Sequence, residues 1–278
     1  MRAIIKLPPA YSAVNSMWQV GILDTDGSYE WQPRLVSLVE CRLELDVTGM
    51  RYLSTCEALL SLAERLKAVS AGLVFLGRGD LHHLALPLIQ RHAQEGPLSV
   101  VVLDSHADVF RTTQGLVSCG SWIREVVKLP GVRHVLVLGA SVRPDSLPPK
   151  VTVLSPDVWQ QRFRHSAGDL AALLPGDALY LSIDKDVFLE SMTSWGHGQV
   201  TASFVFSFMR WLLSRRRLVG ADVCGEVKPN GPWPTLEELK AIKACERLNL
   251  AICRLLAQYC RSRSGPSPQI ASYDTNAC

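Results

Sequence analysis

Three side chains of metal-binding type leave one short segment of this chain at intervals of two: Asp104, His106 and Asp108 in the run Asp104-Ser105-His106-Ala107-Asp108. Successive side chains of an extended segment point to opposite sides, so these three would share a side while Ser105 and Ala107 face away. The segment follows directly on the apolar run Leu98-Ser99-Val100-Val101-Val102-Leu103, which reads as a buried strand. A second run, Ala178-Leu179-Tyr180-Leu181-Ser182-Ile183, leads in the same way into Asp184-Lys185-Asp186. Strand ends that both present carboxylates repel each other unless cations lie between them, because an unpaired buried charge is costly. The pattern therefore predicts bound metal. A third strand end, after residues 73–76, opens into Gly77-Arg78-Gly79-Asp80-Leu81-His82-His83. One histidine from this turn, with Asp104, His106, Asp108, Asp184 and Asp186, gives four carboxylates and two imidazoles, which balance two divalent ions in formal charge. So oxygen-rich a set favours a hard or borderline ion such as Mn(II), with Zn, Fe, Co and Ni also compatible. Two ions sharing a water lower its pKa and hold hydroxide ready for attack at neutral pH.

The elements that must position these residues alternate along the chain. Short apolar runs at 73–77, 100–104, 134–139, 151–154, 179–184 and 219–223 read as strands, and apolar residues at helical spacing over 52–68, 84–91, 121–128, 156–163, 202–215 and 235–258 read as helices. This alternation predicts a parallel sheet wrapped by helices. Residues 3–7 could form a first strand and 20–27 a strand and turn. The last helix is the best delimited, since Pro232-Trp233-Pro234-Thr235 followed by Glu237-Glu238 supplies a stop, a cap and acidic first-turn residues. With 278 residues, 47% of them hydrophobic, residues 1–260 suffice for a single large α/β domain, and 261–278 has the composition of a disordered tail. The net charge of +3, from 29 basic and 26 acidic residues, makes no case for nucleic acid, and Arg215-Arg216-Arg217 reads as a solvated helix end. Eight scattered cysteines without a CxxC pair read as free thiols of a reducing cytosol. No apolar stretch approaches the roughly 20 residues of a membrane span, so a cytoplasmic protein without a membrane partner is expected.

In order and interval these motifs resemble those of the ureohydrolases, the arginase and agmatinase superfamily, of which the chain would be a divergent member. The family's Gly-Gly-Asp-His, Asp-Ala-His-x-Asp and Ser-x-Asp-x-Asp are similar to Gly79-Asp80-Leu81-His82, Asp104 to Asp108 and Ser182-Ile183-Asp184-Lys185-Asp186, a resemblance covering roughly 70–230. It implies an arginase-like three-layer αβα fold with a central, mainly parallel sheet. It also implies two divalent ions, bridged by Asp104 and Asp184, with His82 and Asp108 completing one site and His106 and Asp186 the other. Matching Leu84-Ala85-Leu86 to the family's helix start selects His82 over His83. The implied reaction is hydrolysis of a C–N bond in a linear amidine, a small guanidino or related compound, through a metal-bridging hydroxide. The metals and Asp108 would stabilise the tetrahedral intermediate, and a guanidine would release urea. Gly220 to Pro229 is similar to the family's late strand, whose glutamate receives the guanidinium, which makes Glu226 the expected orienting group through two parallel N–H bonds. The resemblance leaves room for a homo-oligomer.

The chain also departs from the family. No histidine lies between His106 and His134, where the family carries its proton shuttle, and Val117-Ser118-Cys119-Gly120-Ser121 fills that region. Cys119 and His197, the latter in Thr193-Ser194-Trp195-Gly196-His197-Gly198, are the candidate replacements. His197 is preferred because imidazole titrates near neutrality. Phe110 stands where arginases carry an asparagine for the amino-acid end of the substrate, and Trp195 either walls the pocket or packs its loop. Asp80 reads equally well as a helix cap, Lys185 as a structural ion-pair residue, and Glu226 alternatively as a buried partner of Lys228 or Arg78. Two other functions fit parts of the pattern. A deacetylase-like amide hydrolase would use a single zinc and leave Asp108 and Asp186 unexplained, whereas a metal-binding homologue without catalysis would explain the missing histidine.

Overall fold

The computed structural model describes residues 18–45, 49–67, 69, 71–142 and 144–263. The strand expected at 3–7 and the tail beyond 263 lie outside the described residues. The strands are β1 (Val20–Asp24), β2 (Cys41–Glu44), β3 (Leu53–Thr55), β4 (Leu73–Phe75), β5 (Leu98–Leu103), β6 (Leu116–Ser118), β7 (Val132–Leu138), β8 (Val151–Leu154), β9 (Ala178–Asp184) and β10 (Arg217–Cys224). The helices are α1 (Pro33–Val36), α2 (Cys56–Leu66), α3 (Ala85–Glu95), α4 (Ile123–Val126), α5 (Pro156–His165), α6 (Ala167–Ala172), α7 (Ala202–Arg215) and α8 (Leu236–Arg263). Eight strands form one sheet in the order β2-β1-β4-β10-β9-β5-β7-β8, and every pair in it is parallel.

Strands buried on both faces are apolar throughout, and β5 and β9 are buried at every position. Alternation along them divides the core in two. Val100, Val102 and Tyr180 face one layer with Leu59 and Leu62 of α2 and Ile89 of α3, while Val101, Leu103 and Leu181 face the other with Trp159 of α5, Phe208 of α7 and Ile252 of α8. The molecule is therefore a three-layer αβα domain. Helix starts are set by local chemistry. Thr55 Oγ1 accepts from Ala58 N at 3.1 Å, and at α8 a capping box pairs Glu238 N with Thr235 Oγ1 at 3.2 Å and Thr235 N with Glu238 Oε2 at 2.8 Å.

Two helix boundaries and several short elements differ from expectation. The helix expected from Tyr52 begins only at Cys56, because Leu53–Thr55 pairs antiparallel with Leu116–Ser118. Helix α8 continues through Arg263, into the segment expected as tail. The elements α1, α6 and β2 are too short to carry a periodic signal. Among the described residues no helix is long and apolar enough to cross a membrane, and no two described cysteines are joined in a disulfide.

Candidate metal centre

The sheet order places β4, β10, β9 and β5 side by side, so their C-terminal ends deliver the candidate ligands to one edge, as open α/β sheets do. Asp184 is the register partner of Cys224, and Ile183 that of Leu103, which brings Asp184 next to Asp104. His82 comes from the 3₁₀ turn Gly79–Leu84 that follows β4. Two glycines permit the approach. A Cβ at Gly79 would lie 2.9 Å from Asp184 Oδ2, and one at Gly225, where φ is +86°, would lie 2.5 Å from Asp184 Oδ1. The segment after Asp104 is not extended as expected. It bends at Ser105 and His106, and Asp108 adopts a left-handed φ of 49°. Its side chains converge through this turn instead of through strand alternation.

The structure brings all six expected ligands together in two clusters. His82 Nδ1 lies 3.1 Å from Asp104 Oδ2, 3.3 Å from Asp108 Oδ2 and 3.8 Å from Asp184 Oδ2. His106 Nδ1 lies 3.4 Å from Asp104 Oδ1 and 2.8 Å from Asp186 Oδ2. Asp104 thus turns one oxygen into each cluster. Hydrogen bonds fix the carboxylates: Trp122 Nε1 donates to Asp108 Oδ2 at 2.7 Å, Ser105 N to Asp186 Oδ1 at 3.0 Å and Asp186 N to Asp184 Oδ1 at 3.0 Å. Behind His82, Ser182 Oγ lies 2.9 Å from Nε2 and donates to Asp222 Oδ1 at 2.8 Å. This relay assigns the proton to Nε2 and leaves the Nδ1 lone pair for a cation.

The electrostatics fit a cation site. Burial, with Asp186 and Asp108 close by, holds the Asp104 carboxyl well above the usual range, and burial with Asp186 holds Asp184 at about 6. The carboxylates of Asp104 and Asp186 beside it push the His106 imidazole up to about 11. Burial alone would lower the His82 pKa, yet Cys224, Asp104 and Asp108 carry it well above the usual value. Without a cation these groups share protons that a divalent ion would displace. The buried atoms His82 Nδ1 and Asp186 Oδ2 have no hydrogen-bond partner, and each faces a cluster. Nitrogen and oxygen donors with unspent lone pairs are what divalent ions take.

The other expected residues are distributed unevenly. His83 turns away and meets Ser54 Oγ at 2.7 Å, and burial lowers its pKa to about 4. Asp80 is no helix cap; it receives Arg51 Nη2 at 2.6 Å and Arg78 Nε at 3.5 Å. The expectation for Glu226 requires correction. Its side chain is fully buried and forms an ion pair with Lys185, while Gln32 Nε2 donates to Oε2 at 2.6 Å and Asn249 Nδ2 to Oε1 at 2.8 Å. Its oxygens are spent inside the protein, so it is not presented to a guanidinium. Cys119 lies in the field of Asp108 and His82, and burial followed by Asp108 pushes its thiol up to about 11. Trp195 packs edge-on against His106 with ring centroids 5.7 Å apart. His197, two residues on, bonds through Nδ1 to Gly198 O at 3.1 Å and belongs to neither cluster. Phe110 is 65% exposed and lies over Gly120. Sequence reasoning missed Cys224, Trp122 and the Ser182–Asp222 relay. Ser182 and Asp222 stand in the motifs already quoted, but the register that joins them to His82 is not readable from one strand alone.

Comparison with known proteins agrees with this geometry. The model of the arginase family matches residues 27–231, a span that contains both clusters. An uncharacterized protein from Thermotoga maritima is 31% identical over 240 residues, covering 85% of this chain and 89% of the relative. Among solved structures, a hypothetical agmatinase from Burkholderia thailandensis superposes with a TM-score of 0.63 at 19% identity, over 88% of this chain and 87% of that one. Proclavaminate amidino hydrolase from Streptomyces clavuligerus gives 0.61 at 19% identity, over 94% and 98%. With the family model matching residues 27–231 of 278, the chain belongs to the arginase family.

Proposed function

We propose that this protein is a binuclear metal-dependent hydrolase that cleaves a C–N bond of a small guanidino or amidine compound. The observation that carries the reading is Asp104, whose two carboxylate oxygens face two different imidazoles. His82, Asp104, Asp108 and Asp184 would hold one divalent ion, and Asp104, Asp184, His106 and Asp186 the other, Mn(II) being the first candidate for so oxygen-rich a set. When bound, the ions supply Lewis acidity and lower the pKa of a water between them.

The chain's own residues supply the rest. The indole N–H of Trp122 fixes Asp108 at the edge of the site, where its carboxylate can hydrogen-bond to the intermediate. Trp195, against His106, and the exposed ring of Phe110 offer apolar rims to the substrate's tail. His197, on the loop that carries Trp195, is the proposed proton donor to the departing amine, with Cys119 the alternative. Release of urea, ammonia or an amide from a panel of guanidino and formimino compounds, assayed with and without Mn(II), tests the reaction, and no metal-dependent turnover of any member would refute it. His197→Ala should cut turnover about 10²-fold or more, and unchanged turnover would pass the role to Cys119.

A further inference from the structure

Cys224 closes β10 fully buried, beside its register partner Asp184. Its thiol donates to Asp184 Oδ2 at 3.2 Å. Cys224, Asp184 and His82 each offer a donor atom within 4.8 Å of the others. His82, only 1% exposed, has no hydrogen-bond partner at Nδ1, and that atom lies 3.8 Å from the same Asp184 oxygen. A buried cysteine ordinarily fills apolar space. This one faces an imidazole and a carboxylate that both have lone pairs unspent.

We infer that Cys224 is a further ligand, as thiolate, to the ion held by His82 and Asp184. The inference rests on the metal centre proposed above. On ligation the S–H bond breaks, the proton leaves to solvent and a sulfur lone pair forms the bond to the ion, with no change of oxidation state. The two sites then differ in kind. A thiolate moves the His82 site from Mn(II) toward Zn(II), Co(II) or Fe(II), while the Asp104, His106 and Asp186 site keeps only nitrogen and oxygen donors.

Loading the purified full-length chain with Co(II), then measuring bound cobalt and the near-ultraviolet spectrum together, tests the assignment. The expected result is a sulfur-to-cobalt charge-transfer band that Cys224→Ser loses and Cys119→Ser keeps. Should Cys224→Ser fail to fold, X-ray absorption of the Zn-loaded wild type decides, with a sulfur shell at about 2.3 Å expected beside the nitrogen and oxygen shell. Bound metal without a sulfur band or shell would overturn the thiolate and leave the centre intact, and a band that survives Cys224→Ser would overturn it in favour of another thiol. No bound metal at all would overturn the centre itself and this ligand with it.

Discussion

Replacing Glu226 by glutamine should destabilise the protein even when no metal or substrate is present. Glu226 and Lys185 are both fully buried, so water does not screen the charge left behind. Removing one partner of such a pair costs about 3–5 kcal/mol. The local hydrogen bonds give no relief. The glutamine amide must turn its NH₂ either toward Gln32 Nε2, a donor 2.6 Å from Oε2, or toward the donors Lys185 and Asn249 at Oε1. Gln32 cannot simply turn over, since its own Oε1 accepts from Asn249 Nδ2 at 2.9 Å. At roughly 2–4 °C per kcal/mol for a domain of this size, the melting temperature should fall by about 6–20 °C. Urea unfolding of metal-free Glu226→Gln, Lys185→Met and the double variant, followed by circular dichroism, measures both cost and coupling. The double variant leaves no unpaired charge and should cost less than the two single costs combined, by about 1–3 kcal/mol. A Glu226→Gln protein within about 1 kcal/mol of wild type, with substrate affinity selectively lost, would refute this and return Glu226 to the substrate.

Three further outcomes follow from the site. Burial and Asp186 hold Asp184 at about 6 in the folded protein, against roughly 4 in the unfolded chain. The native state therefore keeps this proton longer, and the metal-free protein should lose stability through this group as pH rises across that window. Added Mn(II) displaces the proton, so its stabilising shift in thermal melts should be larger at pH 7 than at pH 5, and equal shifts at both would contradict the assignment. Ser182→Ala removes the partner of His82 Nε2 and should weaken metal binding about 10–100-fold by chelator competition, whereas unchanged affinity would dismiss the relay. Gly225→Ala forces a Cβ to 2.5 Å from Asp184 Oδ1 at a φ of +86°, and should cost at least about 1 kcal/mol in urea unfolding and reduce bound metal. Wild-type behaviour would mean that the strand ends can yield.

Much of the candidate centre was legible because carboxylates and imidazoles placed at strand ends obey short-range rules. An apolar run fixes the strand, the strand fixes its C-terminal edge, and the residues at or just beyond that edge were Asp104, His106, Asp108, Asp184 and Asp186. His82 needed one more step, because a 3₁₀ turn decides which of two adjacent histidines faces inward. Glu226 was misread for a long-range reason: its partners Gln32, Lys185 and Asn249 come from three distant parts of the chain. Cys224 was hidden among scattered cysteines, and only the pairing of β10 with β9 sets it against Asp184. The helix expected at 52–68 was cut short by an antiparallel strand partner at 116–118, beyond the reach of local periodicity.

If the shared carboxylate of Asp104 organises two cation sites, the number of tightly bound ions per chain reports it. Full-length protein stripped with chelator, reloaded with Mn(II), Zn(II) or Co(II) in parallel and analysed for metal and protein together should hold two ions per chain with at least one of these metals, and Asp104→Asn should fall short of two because it disturbs both sites. Wild-type protein that holds no more than a single ion per chain with all three metals, even in excess, would contradict two sites and favour a mononuclear one.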